Sequence, residues 1–284
     1  SLLDAFCSDE QKERFLRPLA EGRQIGAFAL TEADAGSDAS AIRTRAVRDG
    51  SDYAISGSKI FITSGKIAGT IVIFAVTDPS AGKRGISAFV TATDVAGFVI
   101  SKVEEKLGQH ASDTAALMFD NMRIPEDQRI GPEGAGLRIA LSGLEAGRIG
   151  IAAQCVGMAQ AAFDEALVYA RERKSFGKIL LEHQAVAFRL ADAQTQIEAA
   201  RQLVLHAARL KDRGEPCLTQ ACMAKLFASE MAEKVCSAAI QTLGGYGYMS
   251  DYPLERIYRD VRVCQIYEGT SDIQKIIIAR GFAS

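Results

Sequence analysis

The apolar residues of this chain change their spacing once, between Gly131 and Gly136, and that change limits the fold more than any other feature. Upstream, from Ile25 to about Phe119, they come in short runs: "IGAFALT", "YAISGSKIFIT", "TIVIFAVT", "GISAFVT", "GFVIS" and "AALMF". These runs are rich in β-branched and aromatic residues and are cut by Gly, Asp and Ser, which predicts an antiparallel sheet or small barrel. Downstream, apolar residues recur at intervals of three and four over Leu137–Arg173, His183–Arg213, Thr219–Thr242 and Ser271–Phe282, the spacing of helices long enough for a bundle. The expected fold class is therefore α+β, an antiparallel β-sheet or barrel domain followed by a four-helix bundle. The predicted domains are residues 24–130 and 131–284, preceded by residues 1–23. In that first piece "SDEQKERFLRPLAEG" reads as a short helix capped by Ser8, with Gln11 three residues on.

Charge and cysteine usage exclude several function classes. Lys and Arg total 33 against 35 Asp and Glu, with no long single-sign run, so there is no basic stripe for nucleic acid. No apolar run reaches the roughly 18 residues of a membrane span, and no signal peptide with a basic start opens the chain. The six cysteines contain no C-x-x-C pair and the three histidines are far apart, which argues against a zinc site or disulfide scaffold. Free thiols point to a reducing compartment: the cytoplasm, or the mitochondrial matrix if the source is eukaryotic.

Five segments could carry chemistry. In "QIYEGTSDIQK", Glu268 stands between a tyrosine and a glycine just before a helix. Ser271 and Gln274 form a capping-box pattern, and a carboxylate at a helix start is favoured by the macrodipole, so an ordinary structural role accounts for it. If it is also desolvated, burial raises its pKa against the lowering by the helix, leaving a usable base; Gly269 would then let a substrate approach the backbone. "FALTEADAGSD" ends a strand in small and hydroxylated residues able to hold an anion or polar ring edge, or to make a plain turn. "KIFITSG" sets Phe61 and Thr63 on one face of a strand, suited to a flat ring cofactor or to simple core. "RERKSFGK" gathers cations at a helix end, as a phosphate grip or a complement to the helix C-terminus. "QTLGGYGY" fits a helix C-cap and turn; it is not G-x-G-x-x-G after a strand, which disfavours a Rossmann site.

Taken in order along essentially the whole chain, "FALTEADAGSDAS", "GSKIFITSG", "KLGQHASDTAALMFDNMRIP", "LEAGRIGIAAQ", "ARERKSFGKILLEHQAV", "AKLFASEMA", "QTLGGYGYMSDYPLERIYRD" and "QIYEGTSDIQ" resemble the acyl-CoA dehydrogenase family, nearest its short- and medium-chain members. The resemblance implies an FAD enzyme of fatty acid β-oxidation that converts an acyl-CoA thioester to the trans-2-enoyl-CoA and passes electrons to an electron-transfer flavoprotein. It implies that Glu268 takes the α proton while the β hydrogen leaves as hydride, with the base's own amide among the donors to the thioester oxygen. Some relatives carry the base one residue before the arginine of "LEAGR", here Gly147, which cannot serve.

By the same residue-wise likeness, Phe28, Thr31, Phe61 and Thr63 are implied flavin contacts, with Phe61 in place of a tryptophan common in relatives. Ser37 is shared between cofactor and CoA, and Arg148 and Gly269 lie on the substrate side. Arg173, Phe176, Gln184, Gln241, Gly244 and Gly245 correspond to positions that hold a neighbouring subunit's FAD, with Thr270 and Asp272 as further FAD contacts. The family works as a dimer or tetramer. His110 stands where many relatives have arginine, and Asp272 where glutamine or glutamate is common. Relatives begin with a helical domain of roughly a hundred residues, of which residues 1–23 resemble a remnant, so the acyl pocket is expected to lack one wall or to gain it from a partner. Two alternatives stay open: an acyl-CoA oxidase using oxygen, and a non-catalytic acyl-CoA-binding or assembly subunit.

Overall fold

The computed structural model describes residues 2–282 and divides into two compact units, Ser1–Lys106 with His110–Leu144, and Leu107–Gln109 with Glu145–Ser284.

The first unit opens with short helical segments, α1 (Leu2–Phe6), α2 (Asp9–Gln11) and α3 (Arg17–Ala20), the last two joined by a π-helical turn over Lys12–Leu16. The Ser8–Gln11 capping box forms in both directions, at 3.2 and 3.0 Å. Its sheet contains β1 (Gly26–Ala29), β2 (Arg45–Asp49), β3 (Asp52–Thr63), β4 (Thr70–Val76), β5 (Ile86–Ala92), β6 (Phe98–Val103), β7 (Thr114–Pro125) and β8 (Arg129–Ile130). The spatial order is β6-β7-β3-β2-β4-β5-β8, with β1 pairing β4 from off that path. The sheet is open, so the barrel is not the form taken. Its pairings are antiparallel except for β1 with β4 and a single β2–β4 position, which are parallel.

Strand β4, "TIVIFAV", is buried nearly throughout because both of its faces are covered. Ile71, Ile73 and Ala75 join a core with Tyr53, Ile55, Leu117 and Phe119 of β3 and β7. Val72 and Phe74 point the other way, into a core with Leu3, Phe15, Ile139 and Ala140. A strand buried on both sides reads as a continuous apolar run, whereas β3 and β7 alternate.

Helix α4 (Gly136–Glu172) starts in the first unit and continues in the second. The second unit adds the hairpin β9 (Lys174–Ser175) and β10 (Lys178–Ile179), then α5 (Gln184–Asp212), α6 (Leu218–Leu243), α7 (Gly245–Tyr248), α8 (Leu254–Val261) and α9 (Ser271–Arg280). Helix α6 buries residues around much of its circumference, among them Ala221, Cys222, Ala224, Ala228, Ala232 and Cys236. Small side chains there let α4 and α5 approach closely, and the shared core runs from Ala152 to Cys264. The six cysteines are free thiols. No helix among the described residues is long and apolar enough to cross a membrane.

Candidate functional site

The Glu268 segment follows a 3-10 turn, Arg262–Gln265, that closes through the Ile266 and Tyr267 amides donating to the Val263 carbonyl at 2.8 and 3.1 Å. The next two residues are both left-handed, Glu268 with φ 55° and Gly269 with φ 87°. For a residue with a β-carbon this conformation costs about 1–2 kcal/mol, so something must hold it. Gln274, fully buried in α9, donates from Nε2 to the carbonyls of both Glu268 and Gly269, at 3.0 and 2.9 Å. Lys225, fully buried in α6, donates from Nζ to the Gly269 carbonyl at 2.7 Å.

The capping box expected from Ser271 and Gln274 is not made. Thr270, with φ −58° and ψ 162°, is the N-cap, accepting the Ile273 amide on Oγ1 at 3.3 Å. Ser271 already lies inside the helix, its hydroxyl buried without a partner, and Gln274 is turned back onto the loop carbonyls.

The carboxylate lies against α4 at Gly147. A β-carbon there would sit 2.6 Å from Glu268 Oε2, 2.7 Å from Cδ and 2.8 Å from Oε1, so only glycine leaves the group its place. Glu268 Oε2 is buried without a hydrogen bond, as is Nε of the neighbouring Arg148, which is 4% exposed. Burial raises the Glu268 pKa above its ordinary value; the charges of Arg148 and then Lys225 pull it partly back. Among the described residues the Glu268 amide has no hydrogen-bond acceptor. Tyr267, on the other side, is anchored by its hydroxyl donating to Gln154 at 2.9 Å.

Elsewhere in the second unit, Phe176 and Gly177 form the two-residue turn of the β9–β10 hairpin, with φ 50° and 83°. Left-handed residues at both positions match the twist of a tight hairpin. The Phe176 ring is 97% exposed, beside the His183 ring at 6.3 Å, which brings the turn near Gln184. The Arg173 guanidinium lies 6.0 Å over Tyr246, next to Gly244 and Gly245. Gln241 is exposed on the last turn of α6. These six positions thus gather at one end of the second unit; Thr270 and Asp272 lie instead with Glu268 at the start of α9.

In the first unit, Phe28 is half-buried on β1 and packs on Phe74 at 4.9 Å. The Thr31 carbonyl accepts the Ile60 amide at 2.9 Å, tying that loop to β3. Pairing between β3 and β7 slips between Lys59 and Ile62, and Phe61 takes φ 57° at the slip. Ile62 is buried while Phe61 and Thr63 are exposed, Phe61 by 62%. On the same strand Lys59 is fully buried, paired with Glu32 at 2.8 Å and donating to the Leu30 carbonyl at 2.9 Å. Burial lowers the Lys59 pKa to about 8 against the pull of Glu32. For Glu32, burial raises the pKa, but Lys59 and the amides of Arg43 and Thr44 outweigh it and hold the carboxyl below its usual value. Ser37 is exposed, and no hydrogen bond or ring contact joins it to the other four among the described residues. His110 is exposed, its ring nitrogen 2.7 Å from the Lys106 carbonyl.

Taken unit by unit, these residues have the chemistry that a flat aromatic cofactor with a pyrophosphate needs: an exposed ring in each, and in the second a cation beside glycines. Phe61 and Phe176 both have positive φ, and both present a ring to solvent, where burial alone gives an aromatic no reason to be. At Gly244, φ 63° with ψ −132° suits glycine, and neither Gly244 nor Gly245 has any atom within 4 Å of a built β-carbon, leaving open space beside Arg173's segment.

Family models for the acyl-CoA dehydrogenase middle domain and C-terminal domain match residues 27–122 and 134–283. The short-chain specific acyl-CoA dehydrogenase of Clostridium acetobutylicum is 50% identical over 279 residues, 98% of this chain and 74% of the relative. Butyryl-CoA dehydrogenase from Megasphaera elsdenii superposes with a TM-score of 0.98 at 44% identity, covering 100% of this chain and 74% of that one. A chain from a structure of the electron transferring flavoprotein of Acidaminococcus fermentans also matches with a TM-score of 0.98, at 48% identity over 99% of this chain and 74% of that one. The chain belongs to the acyl-CoA dehydrogenase family, whose members are FAD-dependent oxidoreductases. It spans about three quarters of the length of these relatives.

Sequence reasoning gave no role to Lys225, Lys59 or Glu32, and used Gln274 in the wrong bond. One signal was available for Lys225: "ACMAKLFAS" surrounds a lysine with small and apolar residues at helical spacing, the mark of a buried face.

Proposed function

We propose that the protein dehydrogenates an acyl-CoA thioester between its α and β carbons, giving the trans-2-enoyl-CoA, with Glu268 as the base. The observation that carries this reading is a buried carboxylate, unpaired at Oε2, set against Gly147 beside two cations, with its own amide unengaged. Desolvation makes the carboxylate a stronger base than one in water. It takes the α proton onto a carboxylate oxygen, while the Glu268 N–H donates to the thioester oxygen as negative charge develops there. Arg148 and Lys225 offset the charge of the carboxylate before the transfer. Bound FAD supplies the acceptor for the hydride that leaves the β carbon.

The residues that would hold the cofactor are Phe28, Thr31, Ser37, Phe61 and Thr63 in the first unit, and Arg173, Phe176, Gln184, Gln241, Gly244, Gly245, Thr270 and Asp272 in the second. Ser37, Arg148 and Gly269 would face the substrate. Residues 1–23, 24–130 and 131–284 are the proposed domain limits. The reading extends to a homo-oligomer, dimer or tetramer, that passes electrons to an electron-transfer flavoprotein, in the cytoplasm or, for a eukaryotic source, the mitochondrial matrix.

The test is a flavin spectrum before and after a panel of acyl-CoA thioesters. The purified protein is yellow and bleaches with its substrate; Glu268→Gln stays yellow and does not bleach. Full bleaching of that variant would put the base elsewhere.

A further inference from the structure

The reading above uses the charge of a fully buried lysine beside the base but not its hydrogen bond to the loop. We propose that Lys225 is a positioning residue for Glu268: its ammonium fixes the left-handed Glu268–Gly269 pair through the Gly269 carbonyl and sets a positive charge next to the carboxylate at neutral pH.

Three observations carry this. Lys225 has no exposed surface, yet the bonded acceptor its ammonium reaches is a single backbone carbonyl, Gly269, at 2.7 Å. A lysine placed without solvent or a direct carboxylate partner is unfavourable by itself, so a neutral residue would be the default choice on a helix otherwise packed with alanine and cysteine. The carbonyl it holds follows directly on Glu268 and belongs to the second of two consecutive residues with positive φ. Gln274 holds the same carbonyl from α9, so donors from two helices converge on it and keep the Glu268 amide turned away from the loop's own acceptors. Last, the charged groups facing Glu268 are Arg148 from α4, which also acts on Glu145, and Lys225 from α6. The titratable groups facing Lys225 are the thiols of Cys155 on α4 and Cys264 in the 3-10 turn, with Glu268 and Arg148.

Burial lowers the Lys225 pKa to about 8, against the favourable pull of Cys155, Cys264 and Glu268. The lysine is therefore mostly charged at neutral pH, and the charge is lost within an accessible range.

The inference rests on Glu268 as the base, and it is tested by an observable that does not need turnover. The protein is labelled with carboxyl-13C glutamate, and the Glu268 resonance is identified by its absence from Glu268→Gln. In Lys225→Met the Glu268 titration midpoint moves up by about one pH unit, the size expected for removing a nearby unit charge; Lys225→Arg brings it back towards the original value. The unsubstituted protein shows a second, smaller inflection of the same resonance near pH 8 as Lys225 deprotonates, which needs no variant to fold. An unmoved midpoint in folded Lys225→Met, or the lack of that second inflection, overturns the proposal. If the midpoint moves but Glu268→Gln still bleaches with acyl-CoA, the positioning stands and it is the assignment of the base that fails.

Discussion

Gly147→Ala puts one methyl group where the structure has the Glu268 carboxylate. The new β-carbon would begin 2.6 Å from Oε2, so the carboxylate must retreat by about 0.8 Å to reach ordinary van der Waals contact. The backbone of Glu268 cannot absorb this, because its carbonyl and that of Gly269 are pinned by Gln274 and Lys225. The side chain must swing instead. A misplacement of about 1 Å in a reacting group lowers the rate by about a hundredfold, and that is the expected loss in the rate of flavin bleaching by acyl-CoA, measured by stopped flow under anaerobic conditions. Retention of FAD is unaffected. Gly150→Ala is the matched control: it lies three residues along the same helix, with nothing within 4 Å of its built β-carbon. It keeps the rate and gains up to about 1 kcal/mol from helix propensity. Equal bleaching rates in the two variants would refute the packing of the carboxylate on Gly147.

Glu268→Gln carries a second, independent expectation. A carboxyl with a folded pKa above its ordinary value of 4.5 contributes stability that is complete below that value and is lost as pH rises through the folded pKa. The variant does not lose it, so its melting temperature exceeds that of the unsubstituted protein at pH 7 and the gap closes on acidification; a gap independent of pH would deny the desolvation. Arg173→Ala weakens FAD retention through loss of a charge-assisted phosphate contact, read as cofactor remaining after gel filtration, and unchanged retention removes Arg173 from the site. Lys59→Met leaves the Glu32 carboxylate buried without its partner and lowers stability by about 3–5 kcal/mol in urea denaturation. The double variant Glu32→Gln with Lys59→Met loses less, and equal losses would show that the ion pair is not the cause.

The spacing of apolar residues carried the two-part architecture, because helices α4, α5 and α6 are long enough for the three-to-four rhythm to stand out. Helix α8 did not stand out, since it is eight residues long and follows the turn-like "GGYGYMSDYP". The open edge of the sheet and its parallel pairings depend on which strands meet, a matter of chain path that period-two alternation cannot express. At the site, the resemblance singled out Glu268, while local rules explained it as a cap residue. What the rules missed was three-dimensional: Thr270 rather than Ser271 caps α9, so Gln274 is free to turn back to the loop. The importance of Gly147 is invisible locally, because it is set by a carboxylate from a distant loop.

The two-sided burial of β4 has a consequence for Phe28. In a strand with one wet face, a slip of one residue would drown apolar groups or bury polar ones, and polarity alone would correct it. Here Ile71 and Ile73 could trade places with Val72 and Phe74 without any such alarm, so the fit of a phenyl ring among smaller neighbours is what locks the alignment. Since Phe28 lies opposite Val72 and rests on Phe74, the bulk of that one ring also decides where the proposed flavin contact comes to stand.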